Sequence, residues 1–372
     1  MPNNGLLENK VGQLFLIGLP GPHFDDETAE LINDIKPGGV CLFSRNIRDA
    51  RQTRDLNDRL RKALDLEPII SLDQEGGLVD RLRRVIEPMP AASEFRDASD
   101  VESFASIIAE AVRMLGFNMD LAPVVDVAGG ERDGLNNGLA SRIYGSGPGE
   151  TADLAAVFLN SLRSGGCLGC IKHFPGLGAA QVDSHDELPV VEISESELRT
   201  VDLEPYRRLL AETEVDAVMI GHAAYTDLSL QERDADGRLL PSSLSYGVVT
   251  HLLRSELGYD GLVISDDLEM GANVRNYGIG EACRMAILAG ADMLAICAGP
   301  DAIREGYHAI LAAVESGVIS EERLSESLDR IEKVRSRLSP PLLLDESRLE
   351  EISVSIQELK AHLEQYKSEV FS

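Results

Sequence analysis

The chain has 372 residues, 44% of them hydrophobic, which is enough for a sizeable core and within the length of a single barrel domain. Thirty-five Lys and Arg stand against 63 Asp and Glu, a formal net charge of −28. A surface of that sign repels phosphate backbones and anionic lipid, so nucleic acid and membranes are poor partners, and the acidity reads as solubilising.

Residues 1–13 show no basic start followed by an apolar core of signal-peptide length. No run approaches the roughly 18 apolar residues of a membrane span. The expectation is a cytoplasmic protein with five reduced cysteines. Cys167 and Cys170 form a CxxC, but no second Cys/His pair is spaced to complete a zinc site. They read as small residues entering a strand, and neither metal nor cofactor is expected.

In chain order, eight strand-sized apolar runs occupy 12–19, 38–44, 68–73, 119–127, 168–173, 217–222, 261–266 and 292–297. They are nearly continuous rather than alternating, as expected for parallel strands covered by helices on the outside. Amphipathic stretches between them, such as 101–115, 152–164, 195–213 and 246–256, supply the crossover helices. Eight such units predict a closed α/β (β/α)8 TIM-type barrel, with a doubly wound sheet as the alternative. A charged helix follows over 318–338, ended by Pro340-Pro341. Beyond it, Leu349, Ile352, Ile356, Leu359, Leu363, Tyr366 and Val370 recur at spacings of three and four, an apolar helical stripe. We expect one barrel domain over 1–340 and a helical extension over 341–372 packed on its outside. No second catalytic domain is expected, and the chain should be a monomer or a weak homo-oligomer.

Most of the runs end in polar residues: Ser44-Arg45, Asp73-Gln74-Glu75, Asp126, Lys172-His173, His222 and Asp266-Asp267. Charges at the ends of central strands are costly unless they meet at one wet mouth, where barrel enzymes place their active sites. Asp266 closes the run Leu262-Val263-Ile264, so its carboxylate is held rigidly. It can attack an anomeric carbon, but capping the next helix is at least as plain a reading for one of the pair Asp266 and Asp267. A retaining glycosidase also needs a separate proton donor, and histidine titrates nearest neutrality. His185 lies two residues from Asp183 in a Gly/Ser/Asp-rich segment. If that segment is extended, i and i+2 face one side, and the carboxylate orients the imidazole. Asp73, Arg81, Arg142, Lys172 and His173 can together grip sugar hydroxyls and an acyl group. No GxSxG elbow, GxGxxG after a strand or GxxxxGK[ST] loop is present, which argues against serine-hydrolase, dinucleotide and P-loop chemistry.

Lys172-His173-Phe174-Pro175-Gly176, then Gly178, Asp183-Ser184-His185 and Pro189 form the most specific stretch. With Asp73-Gln74-Glu75-Gly76-Gly77, Arg142 within Ser-Arg-Ile-Tyr-Gly, Pro241 to Leu244 and Ser265-Asp266-Asp267-Leu268-Glu269-Met270, they make most of the chain resemble glycoside hydrolase family 3. The likeness is closest to its single-domain β-N-acetylglucosaminidases. The resemblance implies Asp266 as nucleophile, His185 as acid/base oriented by Asp183, and a metal-free N-acetylglucosamine pocket of Asp73, Arg81, Arg142, Lys172 and His173. It also implies a muropeptide substrate, N-acetylglucosamine joined to anhydro-N-acetylmuramic acid. The chain departs from the family pattern at Leu177, where His is common, and at Ala179-Ala180, where Asp-Thr or Asn-Thr is common. A phosphorylase, a glucosidase or xylosidase, and a non-catalytic sugar-binding barrel are the competing readings.

Overall fold

A computed structural model describes residues 4–129, 132, 135, 137–181, 188–270 and 276–370, with the side chains of 4 and 366–370 left aside. Eight parallel strands form its centre: β1 (Phe15–Gly18), β2 (Gly39–Leu42), β3 (Ile69–Leu72), β4 (Met119–Asp120), β5 (Leu168–Phe174), β6 (Ala217–Ile220), β7 (Leu262–Ser265) and β8 (Leu294–Ile296). Each falls within one of the eight apolar runs except β5, which extends one residue past its run to Phe174, and every strand residue is buried. Pairing follows chain order from β1 to β7, β8 pairs with β1, and a parallel bridge between Ile264 and Met293 closes the ring. The fold is a (β/α)8 barrel.

Differences from the expected elements have local causes. Only two residues of the run 119–127 form a regular strand, because Pro123 has no N–H to give to a ladder. The chain still follows β5 through carbonyls, with Cys170 N–H donating to Ala122 O and Lys172 N–H to Pro123 O. The stretch 195–213 is a helix in three parts, the middle one, Leu198–Asp202, wound as a π turn. The helix expected over 318–338 is shorter, Glu321–Arg335, because Ser320 caps its start by accepting from Arg323 N–H.

After the proline pair, the helix Glu346–Val370 lies along the helix Ala98–Met114 on the barrel's outside. Leu349, Ile352, Ile356, Leu359 and Leu363 are buried there, each contributing roughly 1.5–3 kcal/mol if fully removed from water. Arg348 pairs with Glu110 at 2.7 Å and Lys360 with Glu87 at 2.6 Å along the edge. Tyr366 and Val370, the last members of the stripe, lie outside the described side chains. Among the described residues no helix is long and apolar enough to cross a membrane.

Candidate active site

The cleft at the C-terminal ends of the strands collects Asp73, Arg81, Arg142, Lys172, His173 and Asp266. Asp183 and His185 lie outside the described residues. Asp73 follows β3 directly, Lys172 and His173 are the two residues before the last of β5, and Asp266 follows β7. Consecutive residues in a regular strand point to opposite faces. Here the β5–β6 register shifts between Ile171 and Phe174, where the Lys172–His173 peptide is cis, and both side chains border the cleft.

A lattice of charge covers one wall. Lys172 Nζ stands 2.7 Å from Asp73 Oδ1 and 2.6 Å from Glu75 Oε1. Arg81 donates to Asp73 Oδ2 at 3.1 Å, and Arg142 donates a two-pronged pair to Glu75 at 2.7 and 2.9 Å. Burial alone would raise both carboxyls. The neighbouring cations outweigh it, Lys172 and Arg81 holding Asp73 far below the usual carboxylate range, and Lys172 and Arg142 holding Glu75 at about 2. Burial likewise opposes the charge on Lys172, but Asp73 and Glu75 raise its pKa well above the ordinary lysine value. Three cations thus meet two carboxylates on this wall.

Glu75 was not singled out as a site residue by sequence, although it ends the charged triplet after β3. Its partners are 67 and 97 positions away in the chain, and nothing local marks them. It also occupies the Arg142 fork, so Arg142 is not a free two-pronged donor. Asp126 is a second residue known beforehand only as a polar strand end. Its Oδ2 accepts from His173 Nδ1 at 2.8 Å and its Oδ1 from Leu177 N–H at 2.6 Å. The bond leaves His173 Nε2 directed toward Arg142 at 3.4 Å. Leu177 itself borders the cleft, as does Asn137, whose amide donates to Gly178 O at 3.2 Å.

The profile of the Glycosyl hydrolase family 3 N terminal domain matches residues 6–334. The chain belongs to glycosyl hydrolase family 3. Curated relatives include a beta-hexosaminidase of Psychromonas ingrahamii, 32% identical over 290 residues that cover 76% of this chain and 82% of that protein. Another beta-hexosaminidase, of Tolumonas auensis, is 33% identical over 300 residues, covering 78% and 85%. Among solved structures, a family 3 beta-N-acetylglucosaminidase from Paenibacillus sp. str. FPU-7 superposes with a TM-score of 0.85 and 34% identity, over 95% of this chain and 68% of that one. The protein is a glycoside hydrolase.

In this family 3 enzyme the adjacent carboxylates Asp266 and Asp267 divide into two roles. Asp267 Oδ1 accepts from Glu269 N–H at 3.1 Å and Cys297 N–H at 3.2 Å, so it caps the turn after β7 and ties it to the end of β8. Burial raises its pKa to about 7, with Glu269 and Asp266 adding to the rise. Asp266 accepts only from Asp267 N–H, at 2.8 Å, among its described hydrogen bonds. Burial pushes its pKa up, but His222, His173, that N–H and Lys172 together bring it below the ordinary carboxylate value. His222 also anchors the turn: Nε2 donates to Asp267 O at 3.0 Å, and Nδ1 lies 2.7 Å from the Ser243 hydroxyl. Among the described residues there is no group of three ligating side chains that could hold a metal ion.

Proposed function

We propose that this enzyme removes terminal β-linked N-acetylglucosamine with retention of configuration, Asp266 forming a covalent glycosyl-enzyme that water then releases. The observation that carries the reading is the placement of Asp266: a carboxylate that follows β7 at the cleft, outside any described ion pair, whose pKa burial raises but His222, His173 and Lys172 bring below the ordinary value. An attacking carboxylate needs the ionised state, and a protonated neighbour such as Asp267 cannot supply it at acidic to neutral pH. His185 is assigned as the acid that protonates the leaving oxygen and then as the base that activates water, oriented by Asp183. Asp73, Arg81, Lys172 and His173 are assigned to the sugar hydroxyls, with Arg142 and Glu75 holding the wall rigid behind them. Relatives named beta-hexosaminidase and a neighbour named beta-N-acetylglucosaminidase support the sugar assigned to the cleft. A cytoplasmic muropeptide fragment is the natural substrate proposed, cleaved by the barrel of 1–340, with 341–372 acting on stability alone.

Chromogenic β-N-acetylglucosaminide and β-glucoside should be assayed side by side, with and without phosphate. Release of free N-acetylglucosamine in the β-anomer, faster than glucose and indifferent to phosphate, is the expected result. A sugar 1-phosphate product would make the enzyme a phosphorylase, and a preference for glucoside would reassign the pocket.

A further inference from the structure

Two of the five cysteines face the same cleft from different strands. Cys41 is in β2 and Cys297 follows β8, the two strands that flank β1. Gly18 of β1 is paired with Cys41, and it is one step beyond the Ile17–Ile296 pair, which puts it level with Cys297. Leu16, two residues before Gly18, borders the cleft, so the Gly18 position faces inward as well. Glycine is required there. A Cβ would stand 2.0 Å from the Cys297 carbonyl oxygen. No side chain of β1 therefore separates the two thiols, and the neighbouring Cys41 thiol, with burial, raises the pKa of Cys297.

The pair is not suited to a disulfide. Two strand spacings put the backbones about 9–10 Å apart, beyond the ~7 Å that a disulfide tolerates. A bridging ion adds two sulfur–metal bonds to the span, and two thiolates that belong to no group of three His, Cys, Asp or Glu ligands among the described residues match soft cations that accept linear coordination. We propose that Cys41 and Cys297 form a two-coordinate site for a thiophilic cation of the Cu(I) or Hg(II) class in the wall of the sugar cleft. Binding breaks two S–H bonds, forms two S–metal bonds and releases two protons, with no change of oxidation state. Occupancy shuts down the enzyme, because Phe43, Asp73, Asp266 and Asp267 border the same cleft and Cys297 N–H is a ligand of the Asp267 carboxylate.

The test is anaerobic titration of the full chain with Cu(I) delivered from its bicinchoninate complex, followed by copper withdrawal and ultraviolet thiolate-to-metal absorption. The chain has no Trp, so that band is read on a low background. One equivalent should transfer, and hydrolysis of the chromogenic N-acetylglucosaminide should fall in step with occupancy and return when excess bicinchoninate strips the metal. Cys41→Ala and Cys297→Ala should each weaken uptake at least ~100-fold because a ligand itself is lost, while Cys283→Ala should take up copper as the parent does. Cys41→Ser and Cys297→Ser replace any alanine variant whose thermal unfolding shows it misfolded. Uptake that survives both single substitutions, or that follows Cys167 instead, overturns the proposal. The copper transfer is read without substrate, so it stands or falls separately from the glycosidase reading.

Discussion

The two ends of the barrel bury charge in opposite ways. At the N-terminal end, Asp292 precedes β8 and is surrounded: Arg254 at 2.6 Å, Arg330 at 3.3 Å, Arg323 at 3.4 Å, the Ser327 hydroxyl at 3.0 Å and Val263 N–H at 3.0 Å. Arg323, Ser327 and Arg330 all sit on the helix Glu321–Arg335, so one carboxylate ties that helix to the barrel floor. Each of its lone pairs is engaged, and nothing remains for a ligand. At the mouth, cations and carboxylates also neutralise each other, but the lattice stops short of Asp266, which keeps its charge and faces the cleft. Saturation by partners makes a structural joint. A charge held in place but left short of partners is available for chemistry.

That contrast can be broken most sharply at the mouth. Asp266→Ala should cost on the order of 10⁴-fold or more in kcat, as loss of a covalent nucleophile does, with thermal unfolding shifted little. Activity within tenfold of the parent, judged by initial rates, would move the role elsewhere, Asp267 being first in line. His185→Ala should cost about 10²–10⁴-fold on a disaccharide, and less on the first step with a nitrophenyl glycoside, whose leaving group needs no proton. Azide should restore turnover of the aryl substrate by attacking without base help. Lys172→Ala should weaken both substrates alike, as a lost sugar contact would. Equal losses on both substrates for His185→Ala, without azide rescue, would demote it to a binding residue.

At the closed end the readout reverses. Asp292→Ala leaves three arginines without their buried counter-charge and should cost roughly 3–5 kcal/mol of unfolding free energy in urea titrations. kcat per folded molecule should be unchanged, and a parallel loss of kcat would mean that the two ends are coupled. The smallest effect expected is on the pH dependence of stability. Asp267 has its folded pKa raised to about 7, above the ordinary carboxylate value, so its folded form holds a proton that the unfolded chain gives up earlier. The stability it contributes is fully present below about pH 4 and is lost as pH rises through about 7. Melting temperature measured relative to Asp267→Asn should therefore fall by a few degrees across that window and level off above it. A difference that stays flat from pH 4 to 8 would assign the carboxyl an ordinary titration.

The eight strands were legible because each is an uninterrupted apolar run between helical patterns, and burial on both faces demands that composition. The ends of the helices were less so. Ser320 and Pro123 moved boundaries by local hydrogen bonding that a run of apolar residues does not encode. In the site, Asp73, Lys172, His173 and Asp266 were legible as charge at strand ends, Arg81 and Arg142 only as sugar-gripping candidates and through the family resemblance, and all six border one cleft. Glu75 and Asp126 carried the same signal, yet their importance comes from partners far along the chain.

Sequence alone therefore determined the elements, the barrel and the family-like motifs, since local composition and period select strand, helix and turn at short range. Which charges meet was decided only in three dimensions. Lys172 reaches Asp73 across 99 positions and Arg142 reaches Glu75 across 67, because barrel closure and strand register bring those ends to one rim. The same closure separated Asp266 from Asp267, two adjacent and chemically identical side chains. Both border the cleft, but Asp267 accepts from the N–H groups of Glu269 and Cys297, whereas Asp266 accepts from the N–H of Asp267.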